Sequence, residues 1–272
     1  MHGHPPPAPD DAAAHNSGAV GRLGSILSIW AHPDDETYIA GGLMATARDR
    51  GQRVVCATAT AGERGTSDPD TWPPARLGRI RRWEATAALA VLGVSEHHVL
   101  GLPDGGLADH RAQGVAWVEQ LLRDVAPDTI LTFGSDGATF HPDHVAVHHW
   151  VTDAWERLGR PSRLLYAAAT SEHLSGFGEA YEQVGVYMTD QRPMGVASDD
   201  LALHLQLDGP LLDRKLTALR AIATQTSDLL DVVGLDAYTA QIAEEAFIEA
   251  GAEQASSRTS NGVEITAGQD VR

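Results

Sequence analysis

Short apolar runs alternate with helix-length amphipathic stretches through most of the chain. Strands are predicted from the apolar runs at 25–31, 53–60, 97–101, 128–133 and 163–168. Helices are predicted between them, at 36–50, 76–93, 111–126 and 143–158. Helix-length spacers between successive strands favour parallel pairing, with the connecting helices packed on the sheet. The sequence therefore predicts an α/β fold of the Rossmann-like, doubly wound kind, with a mainly parallel sheet and helices on both faces.

A single domain over residues 23–250 is predicted, with a loose segment on each side. Residues 1–22 are rich in Pro, Ala, Gly, Asp and His without any period, and residues 251–272 are rich in small polar residues. Both segments are expected to be disordered because they offer little apolar surface to bury. The end of the domain is expected to contain added strands or a lid at 170–210 and helices at 210–225 and 236–250.

Composition argues against several classes of function. The 20 basic and 37 acidic residues give a net charge of −17, which repels phosphate backbones and anionic lipid, so no nucleic-acid or membrane partner is expected. No run approaches the ~20 apolar residues of a membrane-spanning helix. The single cysteine, Cys56, lies in an apolar run and is predicted to be a buried thiol. Without an internal disulfide or a secretory signal, a cytoplasmic protein is expected.

A polar cluster, His32-Pro33-Asp34-Asp35-Glu36, directly follows the first predicted strand. Pro33 suits the first position of a helix, and the acidic residues suit its first turn. This structural interpretation explains the acids but leaves His32 unexplained. His32 and Asp35 are three residues apart and can converge on one point, which Asp34 would approach from a neighbouring angle.

A second cluster, His141-Pro142-Asp143-His144, follows the fourth predicted strand. Either cluster alone could be a polar helix start. Together they are more informative, because two clusters at the carboxyl ends of parallel strands can face one another across the sheet edge. Imidazole and carboxylate groups brought together in this way are suitable ligands for a catalytic divalent metal.

Four motifs in this order resemble those of the PIG-L/LmbE-like family of zinc-dependent N-deacetylases. They are Ala31-His32-Pro33-Asp34-Asp35-Glu36, Gly41-Gly42, Thr60-Ala61-Gly62-Glu63 and His141-Pro142-Asp143-His144. The resemblance extends over about residues 25–225. It implies hydrolysis of the acetamido group of N-acetylglucosaminyl compounds or of related amides.

The resemblance also implies roles for five residues of the two clusters. His32, Asp35 and His144 match the zinc ligands, and Asp34 matches the general base that deprotonates a zinc-bound water. His141 matches the residue that stabilises the oxyanion or protonates the leaving amine. Iron(II) or cobalt would also suit two histidines and one carboxylate. Either Asp34 or His141 could protonate the amine.

Three further residues are predicted to bind substrate. By resemblance, Arg81 lines the pocket and Asp104 binds sugar hydroxyls. Arg64 lies in the loop after the second strand, and such loops face the ligand crevice of an open α/β sheet. A plain surface turn is the alternative for Arg64.

The function expected from the sequence is removal of an acetyl group from an N-acetylated amino sugar or glycoside. The alternative is a zinc-dependent amidase that cleaves a larger amide, such as a glucosamine-cysteine thiol conjugate. A nucleotide-binding module would need a glycine-rich phosphate loop where the carboxylates of the first cluster stand. A serine hydrolase would need a Gly-x-Ser-x-Gly motif, which the chain lacks. The expected partner is a small-molecule substrate, and homo-oligomerisation stays open.

Overall fold

A seven-stranded sheet forms the centre of the protein in the computed structural model, which describes residues 16–251. The strands are β1 (Ile26–Trp30), β2 (Val54–Thr58), β3 (Glu96–Val99), β4 (Thr129–Thr132), β5 (Arg163–Ala168), β6 (Leu203–Gln206) and β7 (Glu244–Glu249). Their order across the sheet is β3-β2-β1-β4-β5-β7-β6. The first five strands are parallel to one another, and β7 is antiparallel to both β5 and β6.

Besides a helical segment at 16–21, eight α-helices flank this sheet in the described chain. They are α1 (Asp35–Asp49), α2 (Pro74–Leu92), α3 (Arg111–Val125), α4 (Pro142–Arg157), α5 (Ser171–Gln183), α6 (Gly209–Arg220), α7 (Ala223–Val233) and α8 (Leu235–Gln241). Helices α1, α2 and α6 pack against one another, and α3 packs against α4. The predicted α/β fold with a mainly parallel sheet is thus confirmed.

The strand order reverses between β1 and β4. The chain moves outward from β1 to β2 and β3, and then returns to the other side of β1 with β4. Residues of β1 and β2 are buried without exception, as expected for parallel strands covered on both faces, and Cys56 is among them. In such sheets the crevice for ligands lies at the carboxyl ends of the strands flanking the reversal. The two polar clusters follow β1 and β4, so both lie at this crevice.

The last part of the domain differs from the sequence prediction. The helix predicted at 236–250 is a short helix, α8, followed by the strand β7, which pairs on both sides with other strands. Pairing between distant segments overrides a weak helical pattern here. The helix predicted at 210–225 ends at Arg220, and a second helix, α7, begins at Ala223. The region 170–210 supplies the added strand β6, and it also contains the helix α5.

The N-terminal boundary also differs from the predicted arm at 1–22. Residues 16–21 are helical, and Ala19 and Val20 are buried in the main core. Burial of these two apolar side chains stabilises the packing of this segment on the domain. The rest of the predicted arm, 1–15, and the predicted tail from 252 onward lie outside the described residues. Within 16–251, none of the helices has the length and apolar content required to cross a bilayer.

Candidate metal centre and active site

The turn from β1 into α1 places Asp34 in an unusual backbone conformation. Its φ of 147° lies in the region that favours glycine, which costs on the order of 1–3 kcal/mol for other residues. Contacts to its backbone N–H and to its carboxylate stabilise this conformation of Asp34. The Asp34 backbone N–H donates to Glu36 Oε2 at 3.1 Å, and Arg81 Nη2 lies 3.0 Å from Asp34 Oδ2. The local structure therefore holds the Asp34 carboxylate in one place.

The second cluster is positioned by the start of α4. His141 is the N-cap residue of this helix, and its Nδ1 accepts a hydrogen bond from the Asp143 backbone N–H at 3.1 Å. A neutral imidazole that accepts at Nδ1 carries its proton on Nε2. The helix cap thus fixes the tautomer of His141 and leaves Nε2–H as a donor.

Three of the predicted residues converge on one point at the edge of the sheet. His32 Nδ1 lies 3.1 Å from His144 Nε2, and Asp35 Oδ1 lies 3.3 Å from His144 Nε2. Asp35 Oδ2 lies 3.6 Å from His32 Nδ1. All three residues are buried.

The other nitrogen of each histidine faces an acceptor. His144 Nδ1 is 2.8 Å from the Gly137 carbonyl oxygen. His32 Nε2 is 3.0 Å from Asp104 Oδ1 and 3.4 Å from Asp143 Oδ2, without the alignment of a regular hydrogen bond. These acceptors hold a proton on the outer nitrogens, as is usual for histidines that bind metal, so the inner lone pairs face the shared centre.

The donor set fits a divalent metal. Metal bonds of about 2.0–2.2 Å in tetrahedral geometry place neighbouring ligand atoms ~3.3–3.6 Å apart. Two of the three distances among the His32, Asp35 and His144 atoms, 3.3 and 3.6 Å, fall within this range, and the third, 3.1 Å, lies just below it. Two overlapping groups also bring ligand atoms together, His32 with His141 and His144, and His32 with Asp104 and Asp143. We favour the group with Asp35 over both of these. In the group with His141, the Nδ1 atom of His141 already accepts the helix-capping hydrogen bond. The group with Asp104 and Asp143 uses the outer nitrogen of His32, Nε2.

The electrostatics of the centre favour a bound cation. Burial lowers the pKa of His32, but three surrounding carboxylates more than offset this effect. Asp104, Asp143 and Asp35 raise the pKa of His32 well above the ordinary histidine value. Burial lowers the pKa of His144 to about 4, so His144 is neutral and available as a ligand. Positive charge is therefore stabilised at this point of the molecule.

Asp34 lies beside this centre with its side chain 17% exposed. Burial raises the pKa of Asp34 to about 6, although the guanidinium of Arg81 lowers it. A carboxylate that titrates near this value is ionised at neutral pH and basic enough to accept a proton from water. Burial also lowers the pKa of His141, so its ring is neutral at the same pH.

The guanidinium of Arg81 donates its hydrogen bonds to backbone carbonyl groups of the protein. Its Nη1 donates to the Gly62 carbonyl oxygen at 2.7 Å, and its Nη2 donates to the Pro33 carbonyl oxygen at 2.9 Å. The side chain is 3% exposed. Arg81 also borders a cavity, but these contacts favour a role in positioning Asp34 over direct binding of a substrate, which was the role expected from the sequence.

Asp104 and Arg64 meet at the other side of the centre. Asp104 Oδ2 accepts a hydrogen bond from the Arg64 backbone N–H at 2.8 Å, while Asp104 Oδ1 faces His32. This arrangement links the loop after β2 to the outer nitrogen of His32. The side chains of Asp104 and Arg64 both border the cavity.

Asp143 was assigned no function from the sequence. It is almost fully buried and accepts hydrogen bonds from the backbone N–H groups of Gly105 at 2.7 Å and Leu107 at 3.0 Å. It thereby joins the loop that carries Asp104 to the helix that carries His144. The position of Asp143 between two histidines of the second cluster could have indicated this linking role from the sequence.

The centre opens into a cavity of about 730 Å³. Most of the residues described above border it. Apolar and aromatic residues from α1, α5, α7 and α8 and from the segment after α5 also line it. The site is therefore a metal-competent centre at the floor of a large pocket.

The fold and the site together define a class of protein, a Rossmann-like α/β protein with a histidine–aspartate centre at its topological switch point. Within that class, the chain belongs to the PIG-L family. Residues 27–155 match the sequence profile described as PIG-L, GlcNAc-PI de-N-acetylase.

Similar proteins agree with this assignment. The chain is 32% identical over 232 residues to a 1D-myo-inositol 2-acetamido-2-deoxy-alpha-D-glucopyranoside deacetylase of Acidothermus cellulolyticus, covering 74% of this chain and 79% of the relative. A protein of the same name from Mycobacterium sp. (strain JLS) is also 32% identical, with 74% of each chain covered. The N,N'-diacetylchitobiose deacetylase from Pyrococcus horikoshii shares the fold, with a TM-score of 0.62, 20% identity and 87% of each chain covered.

Proposed function

We propose that this protein is a metal-dependent hydrolase that removes the acetyl group from an N-acetylated amino sugar or glycoside. The observation that carries the proposal is the convergence of His32 Nδ1, His144 Nε2 and the Asp35 carboxylate beside Asp34 at the floor of the cavity. The deacetylase names of the similar proteins support the reaction, and the acetamido sugar in those names supports the substrate class.

His32, Asp35 and His144 are proposed to hold the metal, with zinc as the first candidate for a two-histidine, one-carboxylate site. When bound, the metal would supply a Lewis acid that polarises the amide carbonyl and favours ionisation of water. Asp34 acts as the general base that takes the proton from the attacking water. Its strained backbone and its contact with Arg81 hold the carboxylate in place for this transfer.

His141 is proposed to stabilise the reacting carbonyl oxygen as negative charge develops on it. The helix cap at Nδ1 leaves Nε2–H free to donate, so the neutral ring already serves as a hydrogen-bond donor. The departing nitrogen must gain a proton to leave as an amine. Asp34, which holds a proton after the first step, can return it at this stage.

Metal-dependent amine release tests the proposal. Chelator-treated protein should be inactive on 1D-myo-inositol 2-acetamido-2-deoxy-alpha-D-glucopyranoside and on simple N-acetylglucosaminides, and zinc should restore release of acetate and free amine. Parallel reconstitution with iron(II) and cobalt identifies the preferred metal. Full activity after complete removal of metal, or no release of amine with any metal, would overturn the proposal.

Cleavage of a larger amide, such as a glucosamine-cysteine thiol conjugate, is a second candidate. The cavity of about 730 Å³ favours it, since such a volume falls in the range of sites that enclose drug-sized ligands. The two candidates differ in the acyl product. Release of acetate supports the first, and release of a cysteine-derived acid without acetate supports the second.

A further inference from the structure

Two tyrosine hydroxyl groups meet at the border of the cavity. Tyr238 Oη lies 2.7 Å from Tyr38 Oη, and the two rings are arranged edge to face with their centroids 6.3 Å apart. Tyr38 belongs to α1 and Tyr238 belongs to α8, so the pair joins two elements that are distant in sequence. Both residues border the cavity that contains the metal centre.

Tyr238 is the fixed member of the pair. It is 1% exposed and packs in a core cluster with Leu219 and Ile242. A buried O–H group without an acceptor is destabilising, and among residues 16–251 the Tyr238 hydroxyl has its hydrogen bond with Tyr38 Oη alone. Tyr238 therefore donates this hydrogen bond, and Tyr38 accepts it.

The Tyr38 hydroxyl keeps its own proton available. Two phenols that share one hydrogen bond have one O–H proton left, and in this pair it is the proton of Tyr38. Within the described chain, no third group forms a hydrogen bond with either hydroxyl. Burial raises the pKa of Tyr38 well above its ordinary value and the pKa of Tyr238 to about 12, so both hydroxyls are protonated at neutral pH. The pair thus presents a hydrogen-bond donor to the cavity.

Tyr181, another phenol at the same cavity, uses its proton within the protein. Tyr181 Oη lies 2.7 Å from His173 Nε2, and burial lowers the pKa of His173, so this imidazole is neutral at neutral pH. The other ring nitrogen, His173 Nδ1, faces Glu244 Oε2 at 4.0 Å, which favours a proton on Nδ1. Nε2 then accepts the Tyr181 proton, whereas the Tyr38 proton has no such acceptor in the described chain.

The donor lies close to the proposed general base. The Tyr38 backbone N–H donates to the Asp34 carbonyl oxygen at 3.0 Å, which places Tyr38 one helical turn after Asp34. Besides burial, the charge of Asp34 contributes to the raised pKa of both phenols, so the hydroxyls lie within electrostatic range of this carboxylate. An anionic ligand group would be repelled at this point, whereas a neutral oxygen can accept the hydrogen bond.

We propose that Tyr38 donates this hydrogen bond to a hydroxyl group of the sugar ring, and that Tyr238 positions Tyr38 for the contact. The inference rests on the proposed deacetylase function and deepens it by naming a residue that selects for one ring hydroxyl. A site built to pair with a substrate hydroxyl discriminates against the analogue that lacks it. Because Tyr38 lies one turn from Asp34, the contact also holds the acetamido group of the ring relative to the base.

Deoxy substrates combined with Tyr38→Phe test the contact. The zinc-loaded parent protein is assayed on methyl N-acetylglucosaminide and on its 3-deoxy, 4-deoxy and 6-deoxy derivatives. One deoxy substrate should lose ~5-fold or more in kcat/KM, the value of one neutral hydrogen bond. Tyr38→Phe should lose the same factor on the full substrate and nothing further on that deoxy substrate, because the contact is already absent. Equal losses in Tyr38→Phe on all four substrates, or no loss on any, would overturn the inference.

Two further variants complete the kinetic test. Tyr238→Phe keeps the Tyr38 proton and removes its positioning partner, so its loss should be smaller than that of Tyr38→Phe and should appear in KM. The double variant should be no less active than Tyr38→Phe alone, and a further loss would overturn the positioning role of Tyr238. Tyr166→Phe is the control, because it removes a phenol hydroxyl that contacts Thr152 outside the cavity, and its kcat/KM should equal that of the parent protein.

Binding of the product amines separates this inference from the proposed function. The zinc-loaded parent and Tyr38→Phe proteins are titrated calorimetrically with methyl glucosaminide and its three deoxy derivatives. Weaker binding of one deoxy amine to the parent protein, without that difference in Tyr38→Phe, supports the contact even when no substrate is hydrolysed. Equal binding of all four amines to the parent protein would reject the contact and leave deacetylation intact.

Discussion

Asp34 combines a strained backbone with a raised pKa. Its conformation is costly for a residue other than glycine and persists because Glu36 and Arg81 hold its amide and its carboxylate. Burial raises the pKa of this carboxyl to about 6. The contacts fix the position of the carboxylate and its burial raises the pKa, and both properties serve the proposed transfer of a proton from water.

Replacement of the base should separate catalysis from metal binding. Asp34→Asn should retain the metal, since Asp34 is outside the ligand set, and should lower kcat by about 10²–10⁴-fold, the usual contribution of a general base. Metal analysis and acetate release measure the two effects. Asp70→Asn, a substitution at an exposed acid, is the control and should match the parent protein. Near-normal turnover in Asp34→Asn would remove the assignment of Asp34 as the base.

The buried Glu36 should make stability depend on pH. Burial raises the pKa of Glu36 to about 8 from an ordinary 4.5. The folded protein therefore keeps a proton that the unfolded chain loses between pH 4.5 and 8. Over this window the contribution of Glu36 to the free energy of unfolding falls as pH rises, by about 1.4 kcal/mol per pH unit.

Glu36→Gln should remove this dependence. The amide can accept from the Asp34 N–H and donate to the Thr37 hydroxyl, where Glu36 now accepts from both. We expect similar free energies of unfolding for metal-free parent and variant at pH 5 and a more stable variant at pH 8.5, measured by urea denaturation. The exposed substitution Glu179→Gln is the control. A variant with the same pH slope as the parent would contradict the prediction.

At the scale of elements, the buried carboxylate of Glu245 links α1 to the antiparallel part of the sheet. Glu245 of β7 accepts hydrogen bonds from the backbone N–H groups of Gly42 at 2.7 Å and Leu43 at 2.8 Å. Lys215 Nζ of α6 lies 2.8 Å from the same carboxylate, and both charged side chains are fully buried. A side chain at Gly42 would collide with Leu207, so the glycine permits this close approach.

Helices α3 and α4 also approach closely, at Gly114. A Cβ atom at this position would lie 2.1 Å from the ring of the buried Trp150. Gly114→Ala should therefore destabilise the protein by ~1–3 kcal/mol through overpacking. Gly176→Ala is the matched control, because Gly176 lies within α5 with nothing near its missing side chain, and it should stabilise by about 0.5–1 kcal/mol. Equal effects of the two substitutions in urea denaturation would contradict this reading of the α3–α4 contact.

At the scale of the whole molecule, the centre joins two segments that are more than a hundred residues apart. His32 follows β1 and His144 lies in α4 after β4, and these strands are neighbours at the reversal of strand order. A ligand that binds both segments binds the folded state and not the unfolded chain. Metal binding should therefore stabilise the entire domain.

Zinc at 100 times its dissociation constant should raise the free energy of unfolding by about 2.7 kcal/mol. His144→Ala should lose most of this gain together with the bound metal, as measured by thermal denaturation and metal analysis. His149→Ala removes an exposed histidine of the same helix and should behave as the parent protein does. A His144→Ala protein with full metal content and the same stabilisation would remove His144 from the ligand set.

The sequence alone determined the parallel part of the fold and the composition of the centre. The apolar runs that became β1, β2, β4 and β5 are local patterns, because strands buried on both faces must be apolar along their length. The edge strand β3 is polar and only partly buried. The polar clusters after β1 and β4 were also readable as short stretches of sequence. Because both strands are parallel, both clusters lie at the carboxyl-end edge of the sheet.

Only the tertiary structure decided which atoms meet. β7 is a strand because partners on both sides pair with it, and neither partner is adjacent to it in sequence. The outer contacts of His32 with Asp104 and Asp143, and those of Arg81 with Asp34, depend on side-chain directions that spacing does not specify. Secondary structure follows from neighbours along the chain, whereas a site and its cavity follow from long-range packing, which is set by the fold as a whole.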